Sequence, residues 1–512
     1  MKRAAALVGL LLLVLSVYAL SGPGRIDIID GQYRYEVTRN LIREGRPVLH
    51  DRFLGGPAGI DGRYAFYGPA ASVAAMPLVW LASEDELGRF LFSFTSALLG
   101  ALTMALLASF YLLLGITERR AIGWTLAVAF TTLAWPLATS TFDQIQQAFF
   151  VLLSAYCAVR SARHDSFYWA LGGGLSAGIV LLYQETYVVL VPSLALFLCP
   201  PKLTLGQLRA VWRSRRAWAF FLGASLGFAA FVEFNLMRFG SPFTTGKEIV
   251  HHPLVGNPIL GTLGLLVSPG KSIFLYSPPT ILMLLGLRGL WRAKPAIGRA
   301  VVVMLLSHFA LIACLAFYGG DWGWGPRYLV VTLPLGALGL PYLSFGTAFS
   351  RKFVVAGVLA VGLGVQLLAL SVDHQRFFFA RGLADFFWTD QRFYFQHSAL
   401  FDRPHELGSL TLPEEARAFL PSPYPAAYTY CIFGNSPAER AASPTWMRQF
   451  AVFFLPRPWP LWMSTLAQGG APNLPIDPAR ATLCLSLTAL LSAAITAAAV
   501  RLRRGSETRT GD

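Results

Sequence analysis

Stretches of mostly apolar residues recur along the whole chain, separated by short charged or Pro/Gly-rich breaks. Many approach the roughly 20 residues that a membrane-spanning helix needs. With 55% hydrophobic and 13% charged residues among 512, the composition excludes a soluble globular class. We therefore predict an all-α polytopic membrane protein. About 12 transmembrane helices are expected, at 4–20, 87–115, 121–140, 144–160, 168–183, 187–200, 217–236, 276–291, 300–317, 328–345, 353–371 and 481–501.

The distribution of positive charge predicts the orientation of the chain. The net charge of +15 would suggest a nucleic-acid partner in a soluble protein, but the Lys and Arg residues cluster in alternate short breaks between the spans. Cytoplasmic loops carry such an excess. We place those breaks and both termini in the cytoplasm, and expect an inner-membrane protein with no nucleic-acid partner. The first apolar run resembles a signal peptide but has no convincing cleavage site, so we expect a retained helix.

The long segments between spans are predicted to lie on the periplasmic face. Apolar residues recur at i, i+4 and i+8 from Tyr33, which predicts an amphipathic surface helix over 30–44. The apolar run 70–82 is too short to span and is expected to lie in the membrane interface. The periplasmic segments are 21–86, 237–275, 318–327 and 372–480.

These segments suggest a division of the chain into three parts. Residues 1–371 are expected to form the membrane domain that carries the site, with 21–86 as its first periplasmic loop. Segment 372–480 is rich in aromatic residues, Pro and Arg, which predicts a loop-rich periplasmic region near the headgroups. Residues 481–512 are the last transmembrane helix and a basic cytoplasmic tail.

Acidic residues at the outer ends of spans are candidates for chemistry, because a carboxylate near a membrane is costly unless it has a function or a partner. Asp27 and Asp30 follow the first span, and Asp143 lies in a break between two later spans. Such a carboxylate can take a proton from a hydroxyl group while a phosphate leaves from the opposite face. Asp30 is the first candidate for this base, with Asp27 the alternative. For both Asp30 and Asp143 a helix cap is the competing interpretation.

Basic residues on the same side could bind a leaving phosphate. Arg327 follows a run of glycines and tryptophans, and a guanidinium group matches phosphate oxygens with two parallel hydrogen bonds. The competing interpretation is a tryptophan-rich interface with an Arg that extends toward water. Lys247 and Lys271 are further phosphate candidates. Glu185, in a tight break between two spans, is either solvated or used in binding.

Five short motifs occur in one order and on one predicted side of the membrane. They resemble segments of the GT-C superfamily, the polytopic glycosyltransferases that include bacterial protein O-mannosyltransferases and the aminoarabinose transferase of lipid A. The resemblance covers roughly residues 1 to 370. The motifs are Asp-Gly-x-Tyr at 30–33, Tyr-Gly-Pro at 67–69, Asn-x-x-x-Phe-Gly-Ser-Pro at 235–242, Tyr-Ser-Pro at 276–278 and Trp-Gly-x-Arg-Tyr at 324–328.

The resemblance implies a glycosyltransferase that uses a polyprenyl-phosphate-linked sugar as donor and a lipid, glycan or protein as acceptor. It implies Asp30 and Asp143 as the catalytic carboxylates and Tyr33 as a further site residue. The chain departs from the family where the usual acidic pair is Asp30-Gly31. It also departs at Gln184-Glu185, where the aminoarabinose transferase has a lysine.

The mechanism that we expect has Asp30 as general base, Arg327 and Lys271 on the carrier phosphate, and Asp143 or Glu185 orienting the sugar or the acceptor. No cofactor is expected to be required, and the sequence supplies too few ligands to argue for a divalent metal between the carboxylates. The rival class is a transporter or lipid-linked-sugar flippase, which would place polar residues at the bilayer midplane in two repeated halves. An inactive scaffold is a third reading.

Overall fold

A computed structural model describes residues 2–51, 54–202, 204–247, 255–320, 322–344, 346–372, 377, 390–410 and 477–507. The first part of the chain forms α1 Lys2–Ser21, α2 Ile29–Glu44, α3 Ala70–Val79, α4 Asp85–Ser93, α5 Thr95–Leu113, α6 Glu118–Thr131, α7 Ala134–Ala138, α8 Gln144–His164, α9 Phe167–Tyr183 and α10 Val191–Ala195. The rest forms α11 Leu205–Trp212, α12 Arg215–Phe239, α13 Pro258–Val267, α14 Ile273–Tyr276, α15 Pro279–Ala293, α16 Pro295–Ala313, α17 Leu333–Ala337, α18 Ala348–Ser371, α19 Ala399–Leu410 and α20 Pro478–Glu507.

Short 3₁₀ turns and one small sheet complete the described part of the chain. The 3₁₀ turns are Glu185–Leu190, Leu196–Leu198, Arg327–Thr332, Leu340–Tyr342, Asp390–Phe393 and Phe395–His397. Strands β1 Val48–Leu49 and β2 Arg63–Tyr64 pair antiparallel, with Val48 opposite Tyr64. The predicted loop region 372–480 lies mostly outside the described residues.

The chain is a multi-pass membrane protein, and its architecture is mostly helical, as predicted from its hydropathy. Each of the twelve predicted spans coincides with a helix or with a short series of helical turns. Among the described residues, six helical segments are long and apolar enough to cross a membrane: Arg3–Ser21, Asp85–Leu113, Arg215–Phe239, Pro295–Ala313, Phe349–Ser371 and Ala479–Ala498.

Helix α8 lies near the centre of the molecule, packed against α5, α9 and the 3₁₀ turn at Arg327–Thr332. Small residues bring α9 and α12 into close contact. A Cβ atom on Gly178 would lie 2.9 Å from Cα of Gly227, so the two backbones meet there without side chains between them. Close approach of this kind is how membrane helices associate without a hydrophobic driving force between them.

The first outer segment contains the two predicted surface helices, but the expectation for the first of them was wrong in one respect. Helix α2 does form over nearly the predicted residues. Its buried side chains, however, include the polar residues Arg34, Glu36 and Asn40. Glu36 accepts hydrogen bonds from the backbone N–H groups of His50 (2.7 Å) and Asp51 (2.8 Å). Partners of this kind allow polar groups to be buried, so helical periodicity alone misjudged which face is inside.

Candidate active site

Asp27 attaches the first outer segment to the break before α8. Asp27 is only 4% exposed, and it binds through its carboxylate. It accepts hydrogen bonds from the Ser140 hydroxyl (2.6 Å), the Thr141 backbone N–H (2.8 Å) and the Thr141 hydroxyl. Three donors from one turn satisfy a carboxylate that would otherwise be costly to bury. The structure thus places Asp27, a sequence-predicted site residue, where it fixes the turn that leads into α8.

Gly31 allows α2 to begin directly against this turn. A Cβ atom at Gly31 would lie 2.4 Å from Oγ1 and 2.8 Å from Cβ of Thr141, so a larger residue fits only if the turn moves. The Asp-Gly pair of the motif therefore has a structural reason. Glycine permits the close approach, and the carboxylate of Asp30 is carried to the same end of the bundle as Asp143.

Neither of these two carboxylates acts as a helix cap, so that competing interpretation is wrong for both. Asp30 lies in the first turn of α2, whose N-cap residue is Ile28. Asp143 occupies the N-cap position of α8, but its side chain makes no cap hydrogen bond. The Tyr67 hydroxyl is hydrogen-bonded to Asp30; burial and the nearby charge of Asp30 hold the pKa of Tyr67 well above its usual range.

Asp143 is instead paired with Arg34. Nη2 of Arg34 lies 3.0 Å from Oδ2 of Asp143, and the two side chains are only 6% and 5% exposed. Arg34 follows Asp30 by one helical turn and so lies on the same face of α2. Its guanidinium carbon lies 4.4 Å from the centroid of the Tyr67 ring. Burial lowers the pKa of Arg34, but the charges of Asp143 and Asp30 outweigh that effect and hold it above its ordinary value.

Gln144 connects this pair to Arg327. Its Nε2 donates to Oδ1 of Asp143 (2.8 Å), and its Oε1 accepts from Nη1 of Arg327 (3.3 Å). Arg327 also donates to the hydroxyl of Tyr328 (3.2 Å). Three of the predicted site residues, far apart in sequence, therefore meet in one connected cluster. We call this cluster the polar network; its members are Asp30, Tyr67, Arg34, Asp143, Gln144 and Arg327.

Lys271 supports the glycine-rich loop that precedes Arg327. It is completely buried, and its Nζ donates to the carbonyl oxygens of Gly323 (2.7 Å) and Gly325 (3.2 Å). Nε of Arg327 donates to the carbonyl of Gly320 (2.8 Å), which closes the other side of the loop. The sequence placed Lys271 on a phosphate. The structure places it under the loop, where it determines the position of Arg327.

Arg238 joins two of the sequence motifs, Tyr-Gly-Pro at 67–69 and Asn-x-x-x-Phe-Gly-Ser-Pro at 235–242. It is 3% exposed and donates to Oδ1 of Asn235 (2.6 Å) and to the carbonyls of Ala65 and Tyr67. A Cβ atom at Gly68 would lie 2.0 Å from the carbonyl oxygen of Leu182, so the Tyr-Gly-Pro segment is also packed against the end of α9. The Asn and Gly motif residues thus hold Tyr67 in position beside Asp30.

The remaining predicted residues lie around this core. The Tyr33 hydroxyl donates to the carbonyl of Gly55; burial, with Asp30, Glu36 and Asp51 nearby, raises the pKa of Tyr33 to about 12. Glu185 and Lys247 are bound to each other, with Nζ 2.6 Å from Oε1. Among the described residues, no three His, Cys, Asp or Glu side chains are grouped so that they could hold a metal ion.

The sequence analysis missed Arg34, Tyr67 as a partner of Asp30, and Gln144. A signal for Arg34 was present, since it lies four residues after Asp30 and therefore on the same helical face. Gln144 directly follows Asp143 and carried no signal of its own, because a glutamine at the start of a span is unremarkable in sequence. Only the packing of α8 against the Arg327 turn shows that it joins a carboxylate to a cation.

Comparison with known proteins gives the fold but no sequence relative. No protein-family model matches the chain, and no curated protein matches it. Among solved structures, the chain is similar to ArnT from Cupriavidus metallidurans bound to undecaprenyl phosphate, with a TM-score of 0.50 and 13% identity over 96% of this chain and 76% of that one. The apo state of ArnT (TM-score 0.48, 12% identity, 96% and 75% covered) is a second match.

A third match is the archaeal oligosaccharyltransferase AglB from Archaeoglobus fulgidus, in complex with an inhibitory peptide and a dolichol-phosphate. Its TM-score is 0.43 at 11% identity, and 93% of this chain and 61% of that one are covered. The conclusion about the fold depends on the first ArnT structure. The resemblance seen in the five sequence motifs is confirmed at the level of the fold, since the chain has a membrane fold similar to that of ArnT.

Proposed function

We propose that this protein is a membrane glycosyltransferase that transfers a sugar from a polyprenyl-phosphate carrier to a hydroxyl group of a lipid, glycan or protein acceptor. One observation carries the proposal. The two candidate carboxylates and the candidate phosphate-binding arginine come from separate parts of the chain, yet they belong to a single polar network. The ArnT-like fold supports the same reaction class, because that neighbour was solved with undecaprenyl phosphate bound.

Asp30 is the proposed general base. It is more accessible than Asp143, which is buried and ion-paired. The carboxylate of Asp30 takes the proton of the acceptor hydroxyl, whose oxygen then forms a bond to the anomeric carbon of the sugar. The bond between that carbon and the carrier phosphate breaks, and its electron pair leaves with the phosphate. Attack and departure on opposite faces invert the anomeric configuration.

Arg327 is the proposed partner of the carrier phosphate. Two of its hydrogen bonds, to the Gln144 amide and the Tyr328 hydroxyl, are 3.3 and 3.2 Å long and have uncharged acceptors. Hydrogen bonds from a guanidinium group to a phosphate are shorter and about twice as strong, so the phosphate can replace them. Lys271 acts indirectly in this scheme, because it holds the loop on which Arg327 is mounted.

Asp143 is proposed to orient substrate through Arg34 and Gln144 rather than to remove a proton. The ion pair with Arg34 fixes the direction of the Asp143 carboxylate. We propose that the Glu185–Lys247 pair and Tyr33 line the approach to the polar network. Asp27 is proposed to hold the first outer segment against the turn before α8. The reaction requires no cofactor in this scheme.

The orientation in the membrane is part of the proposal. If the chain crosses the inner membrane twelve times with both termini in the cytoplasm, the polar network lies on the periplasmic face. The positive charges in alternate loops support this arrangement. Donor and acceptor would then meet outside the cytoplasm, with the prenyl tail remaining in the bilayer.

The experiment compares cells that lack the native protein and are complemented at equal membrane abundance with wild type, Asp30→Asn or Asp85→Asn. Asp85 is a matched control, since it lies in the same outer segment but pairs with Arg39 and Arg43 outside the polar network. Polyprenyl-linked sugars and surface glycans are profiled by mass spectrometry. We expect wild type and Asp85→Asn to restore a missing glycan, and Asp30→Asn to leave its lipid-linked donor accumulated.

Two other results would change the account. Full complementation by Asp30→Asn would overturn the assignment of the base. If no glycan or lipid-linked sugar changes in any strain, the transferase proposal fails and a transporter or an inactive scaffold takes its place.

A further inference from the structure

The surface at the end of α8 away from Asp143 has no part in the proposed reaction. It combines basic and exposed apolar side chains. Arg216 joins the start of α12 to the end of α8. It donates to the carbonyl oxygen of Ala162 (3.3 Å) and forms an ion pair with Asp165 (2.9 Å). Helix α8 has 21 residues and so extends for about 30 Å, which is the thickness of the hydrocarbon core. Since Asp143 precedes α8, segment 200–216 lies at the opposite membrane boundary from the polar network.

Helix α11 in this segment is a short, well-defined element. Thr204 and Gln207 form a capping box at its start, which satisfies the free backbone N–H groups there. Before it, the carbonyls of Pro200 and Pro201 accept hydrogen bonds of 2.8 Å from Arg299. The start of the helix is therefore capped, and the chain that leads into it is bound to Arg299.

One face of α11 is apolar and exposed. Leu205 is 76% exposed and Trp212 is 60% exposed; they are seven residues apart and so lie on the same face of the helix. The Trp212 ring stacks on Phe221 of α12, with centroids 5.1 Å apart and planes 10° from parallel. Phe221 belongs to a membrane-spanning helix, so the apolar face of α11 is continuous with a surface that faces lipid.

The polar side of the same segment is strongly basic. Residues 200–216 contain no Asp or Glu. The exposed basic side chains of the segment are those of Lys202, Arg209, Arg213 and Arg215. Arg209 and Arg213 are one helical turn apart and lie along one side of the apolar face. A basic helix with exposed Leu and Trp at a membrane boundary is the pattern of an interfacial helix that binds anionic lipid.

We propose that α11 lies in the headgroup layer opposite the polar network and binds the phosphate groups of anionic lipids through Arg209, Arg213 and Arg215. Lipid is the occupant that the structure favours, because the apolar face is adjacent to the lipid-facing side of α12 and the charge complements anionic headgroups. The helix thereby anchors the end of α8 that lies away from the site. This inference does not depend on the proposed reaction.

The test uses the full-length purified protein in nanodiscs of phosphatidylcholine with or without phosphatidylglycerol. Retained lipid is measured by native mass spectrometry, and amide hydrogen exchange is measured over 205–213. The variant Arg209→Gln/Arg213→Gln is compared with Arg351→Gln/Lys352→Gln. That control removes the same charge from the start of α18, which the positive-inside rule places on the same side of the membrane.

We expect phosphatidylglycerol to slow exchange in α11 of the wild type and of the control. The α11 variant should retain phosphatidylglycerol about 10- to 30-fold less well, since each basic residue near an anionic surface contributes about fivefold. High salt should weaken the wild-type effect. Equal retention by the two variants, or exchange over 205–213 that does not respond to lipid charge, would overturn the proposal. A Leu205→Gln variant with unchanged exchange would overturn the interfacial placement even if the charges bind lipid.

Discussion

The two ends of α8 both carry polar side chains, but these are buried at one end and exposed at the other. At one end Asp143 and Gln144 are buried, and each is bonded to residues from other parts of the chain. At the other end Arg163, His164 and Asp165 are exposed. Helix α8 is thus a bridge between a buried charge network and a solvated charged surface, about 30 Å apart.

This contrast distinguishes a site from a boundary. Removing an ion from water costs several kcal/mol unless partners compensate for it, whereas an exposed charge at a membrane surface costs little. Groups with strongly perturbed ionisation and specific charge partners are typical of functional sites. At the end of α8 with Asp143 the carboxylate is buried and paired with a buried arginine, whereas Asp165 at the other end is paired with Arg216 but remains exposed to solvent.

The largest expected effect is on stability at the buried ion pair. Arg34→Met leaves the carboxylate of Asp143 buried without its cation, and we expect it to lower the free energy of unfolding by about 3–5 kcal/mol. Arg216→Gln, at the other end, should cost less than about 1 kcal/mol, because its partner is solvated. Titration of the purified proteins with SDS in mixed micelles measures both. The double variant Arg34→Met/Asp143→Leu should recover part of the loss; equal costs at the two ends would contradict the comparison.

A glycine substitution comes next. Gly31→Ala should destabilise by about 1–3 kcal/mol, because the new Cβ atom would collide with Thr141. It should also reduce glycan restoration, since Asp30 is adjacent. Gly123→Ala in α6 is the matched control. No atom lies within 4 Å of its new Cβ, and alanine favours a helix by up to about 1 kcal/mol. The prediction is wrong if the two variants behave alike in the unfolding titration.

Gln144→Leu tests the connection between the carboxylate and the arginine. The two hydrogen bonds of the side chain are lost, and we expect sugar transfer to fall about tenfold, which corresponds to about 1.4 kcal/mol. The amount of folded protein should change little. Gln207→Leu, in the capping box of α11, is the control at the other membrane surface. If both variants restore the glycan as the wild type does, Gln144 has no part in the reaction.

The smallest expected effect is that of one hydroxyl group. Tyr67→Phe removes the hydrogen bond to Asp30 but keeps the ring that lies against Arg34. A single such bond contributes about 1 kcal/mol, so we expect the transfer rate to fall about fivefold. Tyr168→Phe is the control, since Tyr168 is 82% exposed near the far end of α8. A Tyr67→Phe variant as active as this control would separate Tyr67 from the chemistry.

Much of the architecture could be predicted from the sequence, because apolar stretches in a bilayer leave the chain few alternatives to helices. The helices, the two surface elements of the first outer segment and the GT-C resemblance all followed from hydropathy and motif order. The inward-facing side of α2 did not. Arg34 and Glu36 look like surface residues on a helical wheel, and only their distant partners make their burial favourable.

The candidate site, likewise, could be predicted from the sequence only in part. Asp30, Asp143 and Arg327 could be chosen because each is a charged residue at the end of an apolar stretch. The structural roles of Asp27 and Lys271 could not be inferred from their positions in the sequence. Both bind groups of the protein itself, Asp27 the turn before α8 and Lys271 the loop before Arg327. A charged residue that supports a loop looks the same in sequence as one that binds substrate.

The most direct test of the central claim is to measure, by native mass spectrometry, the retention of undecaprenyl phosphate by purified wild type, Asp30→Asn and Arg327→Gln. In our account the polar network separates carrier binding, at Arg327, from proton removal, at Asp30. Asp30→Asn should therefore bind the lipid as the wild type does, although it restores no glycan in cells. Arg327→Gln should bind it at least tenfold more weakly, in line with the loss of about 1.5–3 kcal/mol of charge-assisted hydrogen bonding. Undiminished binding by Arg327→Gln, or loss of binding in Asp30→Asn alone, would contradict the account.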